Sequence, residues 1–400
     1  MANGSLKLQR AAALIVLCLG GASAMATERG RPGLSVATYN QYLGGDLAPI
    51  AAASTPAEFN DAVLGVLRQA AANRFRARAE RQAALIERTR PDLVGLQEVW
   101  HFRCRDLPPV PGACADPAIR GAFVDQLTVT LRALNRERPR YRLAAADRNF
   151  DTTDLALPTP FGTVRGLPFV IGGKAGLLLA GDRDVILARI GVPTAPLAFA
   201  GCQAAADGCN YGAAVELPLP PPLPGTIVLK RGFVGVAARV AGGHYRFVTT
   251  HLEVKTPDPA NPLSMVFQSQ QAAELIARLA ALPADGSRLA LAGDFNSAPT
   301  DTPPATGIVP PYRQLAAAGY LDAWTSARGT APGFTCCQVA DLRNPRSQLS
   351  ERIDLILAGT SPLFVPRIER LGENPADRTR TLPYRLWPSD HAGLTARLVF

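Results

Sequence analysis

Polar residues suited to phosphate and metal-ion chemistry stand at the ends of apolar runs along this 400-residue sequence. Asn40 follows Val36-Ala37-Thr38-Tyr39, and Gln97-Glu98 follows the run at 93–96. Thr250-His251-Leu252 closes a stretch rich in β-formers, Gly293-Asp294-Phe295-Asn296 follows the run at 289–292, and Ser389-Asp390-His391 precedes the final apolar stretch. Strand ends hold side chains rigidly while adjoining loops admit a substrate. Taken alone, each cluster also fits a turn, a cap or a structural histidine. Glu98 says more, because a carboxylate at the end of a buried strand is costly unless a cation or a donor pairs with it.

Asn40, Glu98, Asp294, Asn296 and Asp390 are hard oxygen donors, a set that favours Mg²⁺ or Mn²⁺ over zinc and so points to phosphate chemistry. Phosphoester hydrolysis needs charge neutralisation on the phosphoryl oxygens, a positioned water and a proton for the departing oxygen. These residues with His251 and His391 can supply all three. A nucleophilic serine through Ser389 and His391 is the competing reading. Sequence neighbours on a strand point apart, however, and no Gly-x-Ser-x-Gly elbow occurs.

The elements that must position these groups are partly visible. Short apolar runs at 34–39 and 93–97 have the pattern of buried strands, whereas 59–88, 123–136 and 265–282 space Leu, Ile, Val and Phe at helical intervals. Residues 234–240 and 245–250 flank Gly242-Gly243, which predicts a hairpin whose second strand delivers His251. Runs at 289–292 and 353–357 repeat the strand pattern, and alternating residues at 394–400 end the chain. Strands and helices interleave, so an α/β class is expected. The polar clusters run from Asn40 to His391, which one continuous domain over residues 27–400 explains best. The Pro-rich stretches 107–117, 217–224 and 302–311 then read as surface insertions.

Lys7 and Arg10, an apolar run at 11–19 and the small residues ending in Ala24-Met25-Ala26 have the form of a secretory signal over residues 1–26. The apolar run is shorter than the roughly 20 residues that cross a bilayer. An exported protein, extracellular or periplasmic, is expected. Without Lys7 and Arg10, 40 basic residues stand against 33 acidic ones, a net charge of +7. That excess is compatible with polyanionic partners, and equally with plain solubility. Arg74, Arg76, Arg78 and Arg81 cluster on a helix, as a basic groove for nucleic acid or as a face turned to water. Of seven cysteines, six follow the signal, which in an exported protein reads as disulfides. Cys104 with Cys114 and Cys202 with Cys209 would close short loops, and Cys336 with Cys337 would form a vicinal bridge or pair elsewhere. Trp100 and His101 would line the cleft or pack in a loop.

The ordered set Thr38-Tyr39-Asn40, Gln97-Glu98, Thr250-His251-Leu252, Gly293-Asp294-Phe295-Asn296, Arg352-Ile353-Asp354 and Ser389-Asp390-His391 resembles the motif series of the endonuclease/exonuclease/phosphatase superfamily, the deoxyribonuclease I-like proteins. It spans nearly all the chain after the signal. The resemblance implies a four-layer α/β/β/α sandwich, two packed β-sheets flanked by helices, with the site at one edge. It makes Glu98 the principal metal ligand, helped by Asn40 and Asp390, and gives Asp294 the attacking water. Asn296 would position that water or bind phosphate. His391 would contact the scissile phosphate with Asp354 fixing its tautomer, and His251 would serve as the general acid near the leaving group.

The function expected is a secreted, Mg²⁺- or Mn²⁺-dependent nuclease or phosphodiesterase that activates water, acting as a monomer. A sphingomyelinase-like phospholipase C, a phosphomonoesterase and a non-catalytic binding protein on the same fold are the alternatives, so the substrate is a nucleic acid, a phospholipid or a small phosphodiester. Lys230-Arg231-Gly232 resembles a Lys-Gly segment of sphingomyelinase- and inositol-phosphatase-type members, and also fits a solvated turn. The stretch 195–224 carries only Phe199 and Tyr211 as aromatics, few for a loop that dips into lipid.

Overall fold

A computed structural model of the chain describes residues 33–159, 162–202, 209–255, 262–303, 307–359 and 364–400. The expected signal segment lies outside the described residues. The strands that carry the polar clusters are β1 (Gly33–Asn40), β2 (Leu93–Gln97), β3 (Gly232–Val240), β4 (Gly243–His251), β5 (Arg288–Asp294), β6 (Asp354–Ala358) and β7 (Gly393–Val399). The helices that cover them are α1 (Pro56–Ala72), α2 (Phe75–Thr89), α3 (Gln126–Leu134) and α4 (Leu263–Ala280).

One sheet runs Phe364–Leu371, β7, β1, β2, Val185–Arg189, Tyr141–Ala146. The other runs Thr194–Pro196, β3, β4, β5, β6, Leu321–Asp322. The period-2 alternation of a strand assigns each residue to a face. Leu34 and Val36 of β1, Phe247 of β4, Ala290 and Ala292 of β5, Ile356 of β6 and Leu394 and Ala396 of β7 meet in one core between the sheets. The opposite parity packs outward: Ala37, Tyr39, Val94 and Leu96 against Ala83 and Ile86 of α2 and Leu127 and Leu134 of α3. On the far side, Val248, Leu291 and Leu355 meet Ala272, Leu275 and Leu279 of α4. These contacts make the four-layer α/β/β/α sandwich expected. Continuing the inward parity along each strand puts Asn40, His251, Asp294 and Asp354 on the face between the sheets.

Register then brings those positions together. Asn40 pairs with Gln97 across parallel β1 and β2. His251 pairs with Asp294 across parallel β4 and β5, and Asp294 pairs with Asp354 across antiparallel β5 and β6, so three site residues form one row. The sheets approach closely below this row. A Cβ on Gly95 would collide with Thr249 Oγ1 of the facing sheet, and Gln97 Nε2 donates to that oxygen at 2.7 Å.

Two sequence expectations are corrected. The helix expected over 59–88 is two helices, because Arg74 adopts a left-handed backbone (φ 42°) between them. Asn73 ends the first helix through its backbone N–H to Gln69 O, and its Nδ2 ties the break to other segments by donating to Gly44 O and Ala340 O, at 2.9 and 3.0 Å. The hairpin turn is Ala241-Gly242, both at positive φ, with Gly243 already in β4.

The arginine cluster is also not an open basic face. Arg78 is fully buried and donates to the carbonyls of Gln41, Tyr42, Asn73 and Pro388 at 2.7–3.1 Å. Arg74 binds Leu382 O and Tyr384 O, and Arg81 binds Asp377 O. Arg78 thus ties the chain after β1 to the segment before Ser389. Arg78→Met, which fills the space but leaves Asn73 O without a donor and Gln41 O, Tyr42 O and Pro388 O with only their glutamine donors, is expected to cost about 2–3 kcal/mol of unfolding free energy in urea titration. A loss below about 1 kcal/mol would deny Arg78 this structural role.

The cysteines pair as Cys104–Cys114, Cys202–Cys209 and Cys336–Cys337, which settles the last pair as vicinal. Trp100 is buried and stacks on Phe102 with centroids 5.6 Å apart, so it packs rather than lines a cleft. His101 is half-buried with its Nε2 3.9 Å from Asp151 Oδ2. Phe199 and Tyr211 are both core residues under α4. Among the described residues no helix is long and apolar enough to cross a membrane.

Candidate active site

Asn40, the last residue of β1, holds the two halves of the site together. Its Nδ2 donates to Glu98 Oε1 (3.1 Å) and to Asp294 Oδ2 (3.0 Å), while its Oδ1 accepts from Tyr42 N (2.9 Å). Glu98, one residue past β2, has φ 54°. A left-handed glutamate costs about 1–3 kcal/mol and persists only where its surroundings enforce it. Here Leu43 N donates to Oε2 at 2.8 Å while Asn40 holds Oε1. Ser389 Oγ donates to Asn40 O at 2.7 Å, which seats the Ser389-Asp390-His391 loop over the end of β1.

Asp294 lies between two histidines. Its Oδ1 accepts from Asn296 N at 2.9 Å, and its Oδ2 lies 3.5 Å from His251 Nε2 and 3.8 Å from His391 Nε2. Its carboxyl is raised to about 7, chiefly by burial and also by Asp354, against the opposing pull of His391 and the Asn40 hydrogen bond. Asn296, also left-handed (φ 47°), places Nδ2 3.3 Å from His251 Nε2 and donates to Leu252 O. A left-handed backbone is cheaper for Asn than for most residues.

The two histidines are shifted in opposite directions. For His391, burial opposes the imidazolium, but Asp354, Asp294 and Asp390 outweigh it and hold the group well above the ordinary histidine range. Its Nδ1 donates to Asp354 Oδ2 at 2.8 Å, leaving Nε2–H turned towards Asp294. His251 is driven well below that range by burial, then by Arg231 and His391. Arg231 NH1 lies 3.1 Å from His251 Nδ1. A guanidinium can only donate, so Nδ1 accepts and the proton of the neutral ring sits on Nε2, directed at Asp294 Oδ2 3.5 Å away. That makes the Asn296 Nδ2 contact a close approach of two donors and not a hydrogen bond.

Asp390 is held by Ser389 Oγ at 3.2 Å, and burial raises its carboxyl to about 6, with Glu98 adding repulsion. A raised carboxyl beside Glu98 is a site short of positive charge, and Glu98, Asp390 and Asn40 offer the oxygen donors that a hard divalent cation takes. The ligand atoms of Asp294, Asp354 and His391 also converge within 4.8 Å, but there the imidazolium already supplies the cation. The donor chemistry on the Glu98 side suits a hard divalent cation.

A pH dependence follows with a definite sign. The cation requires Asp390 ionised, and protons compete for it below about 6. Apparent Mn²⁺ affinity should rise with pH by up to about tenfold per unit, then flatten above that value. Calorimetric titrations at several pH values test this, and a pH-independent affinity across that range would remove Asp390 from the ligand set.

All eight expected residues are thus gathered: Asn40, Glu98, His251, Asp294, Asn296, Asp354, Asp390 and His391. Sequence reasoning missed the role of Arg231, whose Nε also lies 3.5 Å from Glu253 Oε2. The signal was Gly232: a Cβ there would meet Asp147 Oδ2, Asn149 Oδ1 and Cys209 O within 2.8 Å, so only glycine lets Arg231 enter beside His251. The buried carboxyls Asp147, Asp182 and Asp184, flanking Arg231, were also missed; burial raises all three.

A profile of the Endonuclease/Exonuclease/phosphatase family matches residues 37–391, from within β1 to the second histidine of the site. The chain belongs to the endonuclease/exonuclease/phosphatase family. Proteins of this family are phosphoester hydrolases, and the chain is an enzyme of that kind. It is similar in fold to a solved endonuclease/exonuclease/phosphatase family protein of Bacteroides thetaiotaomicron, with 17% identity and a TM-score of 0.50 over 92% of this chain and 98% of that one. A family protein of Beutenbergia cavernae DSM 12333 shares 18% identity at a TM-score of 0.47, covering 92% of this chain and 72% of that one. A mannosyl-6-phosphatase of Bacteroides thetaiotaomicron VPI-5482 shares 17% identity at a TM-score of 0.48, over 92% of this chain and 100% of that one. No curated protein matches.

Proposed function

We propose that the chain is an exported, divalent-metal-dependent phosphodiesterase, with Glu98, Asn40 and Asp390 as the metal-holding residues. The observation that carries the reading is the row His251, Asp294, His391, in which a raised carboxyl stands between a neutral and a charged imidazole. When bound, the cation supplies positive charge to a phosphoryl oxygen. Asp294, with a carboxyl near neutrality, is matched to take a proton from water at physiological pH. Asn296 orients that water or a phosphoryl oxygen.

His391 donates Nε2–H to the phosphate, and Asp354 retains Nδ1–H so that the ring keeps both its orientation and its charge. His251 is assigned differently from the sequence expectation of a general acid. A neutral imidazole beside a guanidinium holds its Nε2 proton too tightly to transfer it, so His251 acts as a hydrogen-bond donor to substrate oxygen. The transferable proton is on His391.

Export is supported by the signal-like residues 1–26 and by three cysteine pairs, which persist in oxidising compartments. The monomer remains the proposed state. Burial of Arg78 weakens the reading of the arginine cluster as a basic nucleic-acid groove, and burial of Phe199 and Tyr211 adds to the case against a lipid-dipping loop, which leaves a small diester as the favoured substrate.

The test is hydrolysis of plasmid DNA, RNA, sphingomyelin, bis-p-nitrophenyl phosphate and p-nitrophenyl phosphate by the purified mature protein, with Mg²⁺ or Mn²⁺ and with chelator. Chelator-sensitive cleavage, faster on the p-nitrophenyl diester than on the monoester, is expected. A preference for the monoester would overturn the phosphodiesterase assignment, and inactivity on every substrate would overturn the proposed function.

A further inference from the structure

Cys336 and Cys337 take no part in the chemistry above, yet they lie against it. The segment 335–338 runs along the catalytic loop through two backbone bonds: Ala392 N donates to Thr335 O at 2.7 Å, and Gln338 N donates to Asp390 O at 2.8 Å. Between them the disulfide places Cys337 Sγ 4.0 Å from His391 Nε2. Both sulfurs and a ring nitrogen of His391 lie within 4.8 Å of one another. Cys336 is buried and Cys337 is exposed.

Adjacent cysteines close almost no chain, so the loop-closure entropy that stabilises a long-range disulfide is nearly absent. Exposure of Cys337 opens the bond to an attacking reductant. Once reduced, the pair and His391 form a two-sulfur, one-nitrogen donor set, of the kind that takes zinc with water in the fourth position. The Asp354 contact adds to the fit. A zinc-binding histidine usually gives its other ring N–H to a carboxylate, and His391 Nδ1 donates to Asp354 Oδ2 at 2.8 Å.

We infer that the reduced Cys336–Cys337 pair and His391 form a second, soft-metal site for Zn²⁺, and that filling it shuts off hydrolysis. The first clause rests on ligand geometry alone; the second rests on the function proposed above. A thiol reductant attacks the exposed Cys337 sulfur and a second thiol releases the cysteines as two S–H groups, the two reductant thiols being oxidised to their own disulfide. Zn²⁺ then displaces both thiol protons and the Nε2 proton of His391. That nitrogen is no longer free to donate to a phosphate. Thiolates prefer zinc to the hard cations that suit Glu98 and Asp390, so the two sites are chemically separable. The disulfide form has no thiolate and stays active.

The test uses Cd²⁺, whose bonds to thiolate give an ultraviolet charge-transfer band, on the folded mature protein before and after phosphine reduction and removal of the phosphine. Oxidised protein should show no band. Reduced protein should show one, and Cys337→Ser or Cys336→Ser should lose a full cadmium equivalent relative to it, whatever Cys104, Cys114, Cys202 and Cys209 contribute. In excess Mg²⁺, low Zn²⁺ should inhibit the reduced protein at least about tenfold and spare the oxidised protein and Cys337→Ser. The same band in reduced Cys337→Ser as in the reduced wild type overturns the site. A band without inhibition overturns the regulatory clause. If the oxidised protein hydrolyses nothing, the proposed function fails while the band still decides the site.

Discussion

Glu98→Gln is expected to lower turnover by roughly 10²–10³-fold or more on any phosphoester the protein cleaves, with the fold retained. The side chain keeps its shape and its Oε1 can still accept from Asn40, but an amide nitrogen then faces Leu43 N–H, a lost hydrogen bond worth about 1 kcal/mol. Against that cost, removing a negative charge relieves repulsion that helps raise Asp390 and Asp182. The metal-free variant should therefore melt within a few degrees of the wild type, roughly the effect of 1 kcal/mol. The rise in melting temperature on adding Mn²⁺ should vanish. Turnover at saturating Mn²⁺ and melts with and without the ion read both effects, and wild-type turnover in folded Glu98→Gln would remove Glu98 from the metal site.

His391→Gln is expected to lower turnover by about 10²–10⁴-fold, and unlike Glu98→Gln it should also destabilise the fold. Glutamine can offer a hydrogen bond to phosphate but no charge and no transferable proton. It also strips Asp354 of the cation at its Oδ2, and Asp354 Oδ1 has no hydrogen-bond partner among the described residues. An unpaired buried carboxyl costs about 3–5 kcal/mol. Asp354→Asn in the same chain should restore most of the stability and none of the turnover, which separates the structural role from the chemical one. The pH dependence has the sign of a histidine raised in the folded state. Its contribution to stability is complete below the unfolded value of about 6.5 and is lost as pH rises through the folded one. Wild-type activity should extend above the ordinary histidine range before falling. An alkaline limb unchanged in Asp354→Asn would separate that limb from His391.

The two variants differ because the site uses its charges differently on its two sides. Around Glu98 and Asp390 negative charge accumulates, and an added cation completes it. Around Asp354 and Asp294 the protein supplies its own cation in His391. A change that removes negative charge from the first side is tolerated by the fold, and one that removes positive charge from the second is not.

Much of this was legible in the residues themselves. Apolar runs located β1, β2, β5 and β6, because a strand buried between a helix layer and a second sheet must be apolar on both faces. The polar residue that ends each run was recognisable as a functional candidate, because an unpaired polar group there would be costly. Asn40, Glu98, His251, Asp294, Asn296, Asp390 and His391 could be singled out on that ground, whereas Asp354 entered only through the resemblance to the family's motif series. The break at Asn73-Arg74 was harder to see, since helical periodicity continues through it and the left-handed backbone of Arg74 that marks the stop has no local sequence signal.

Composition and spacing determined the residue types, the interleaving of strands and helices and the metal preference of the donor set. Only the tertiary structure decided how those residues share protons. Arg78, one of four arginines close in sequence, is a buried brace because four backbone carbonyls converge on it from segments far apart in the chain. His251 and His391 are the same residue type at similar strand ends, yet one is neutral and the other charged. The difference lies in which neighbour reaches Nδ1: Arg231 across a hairpin for the first, Asp354 across the loop for the second. Ionisation in a buried site depends on distances of a few ångströms between groups tens to hundreds of residues apart, and those distances are set by sheet register and packing, which no local pattern encodes.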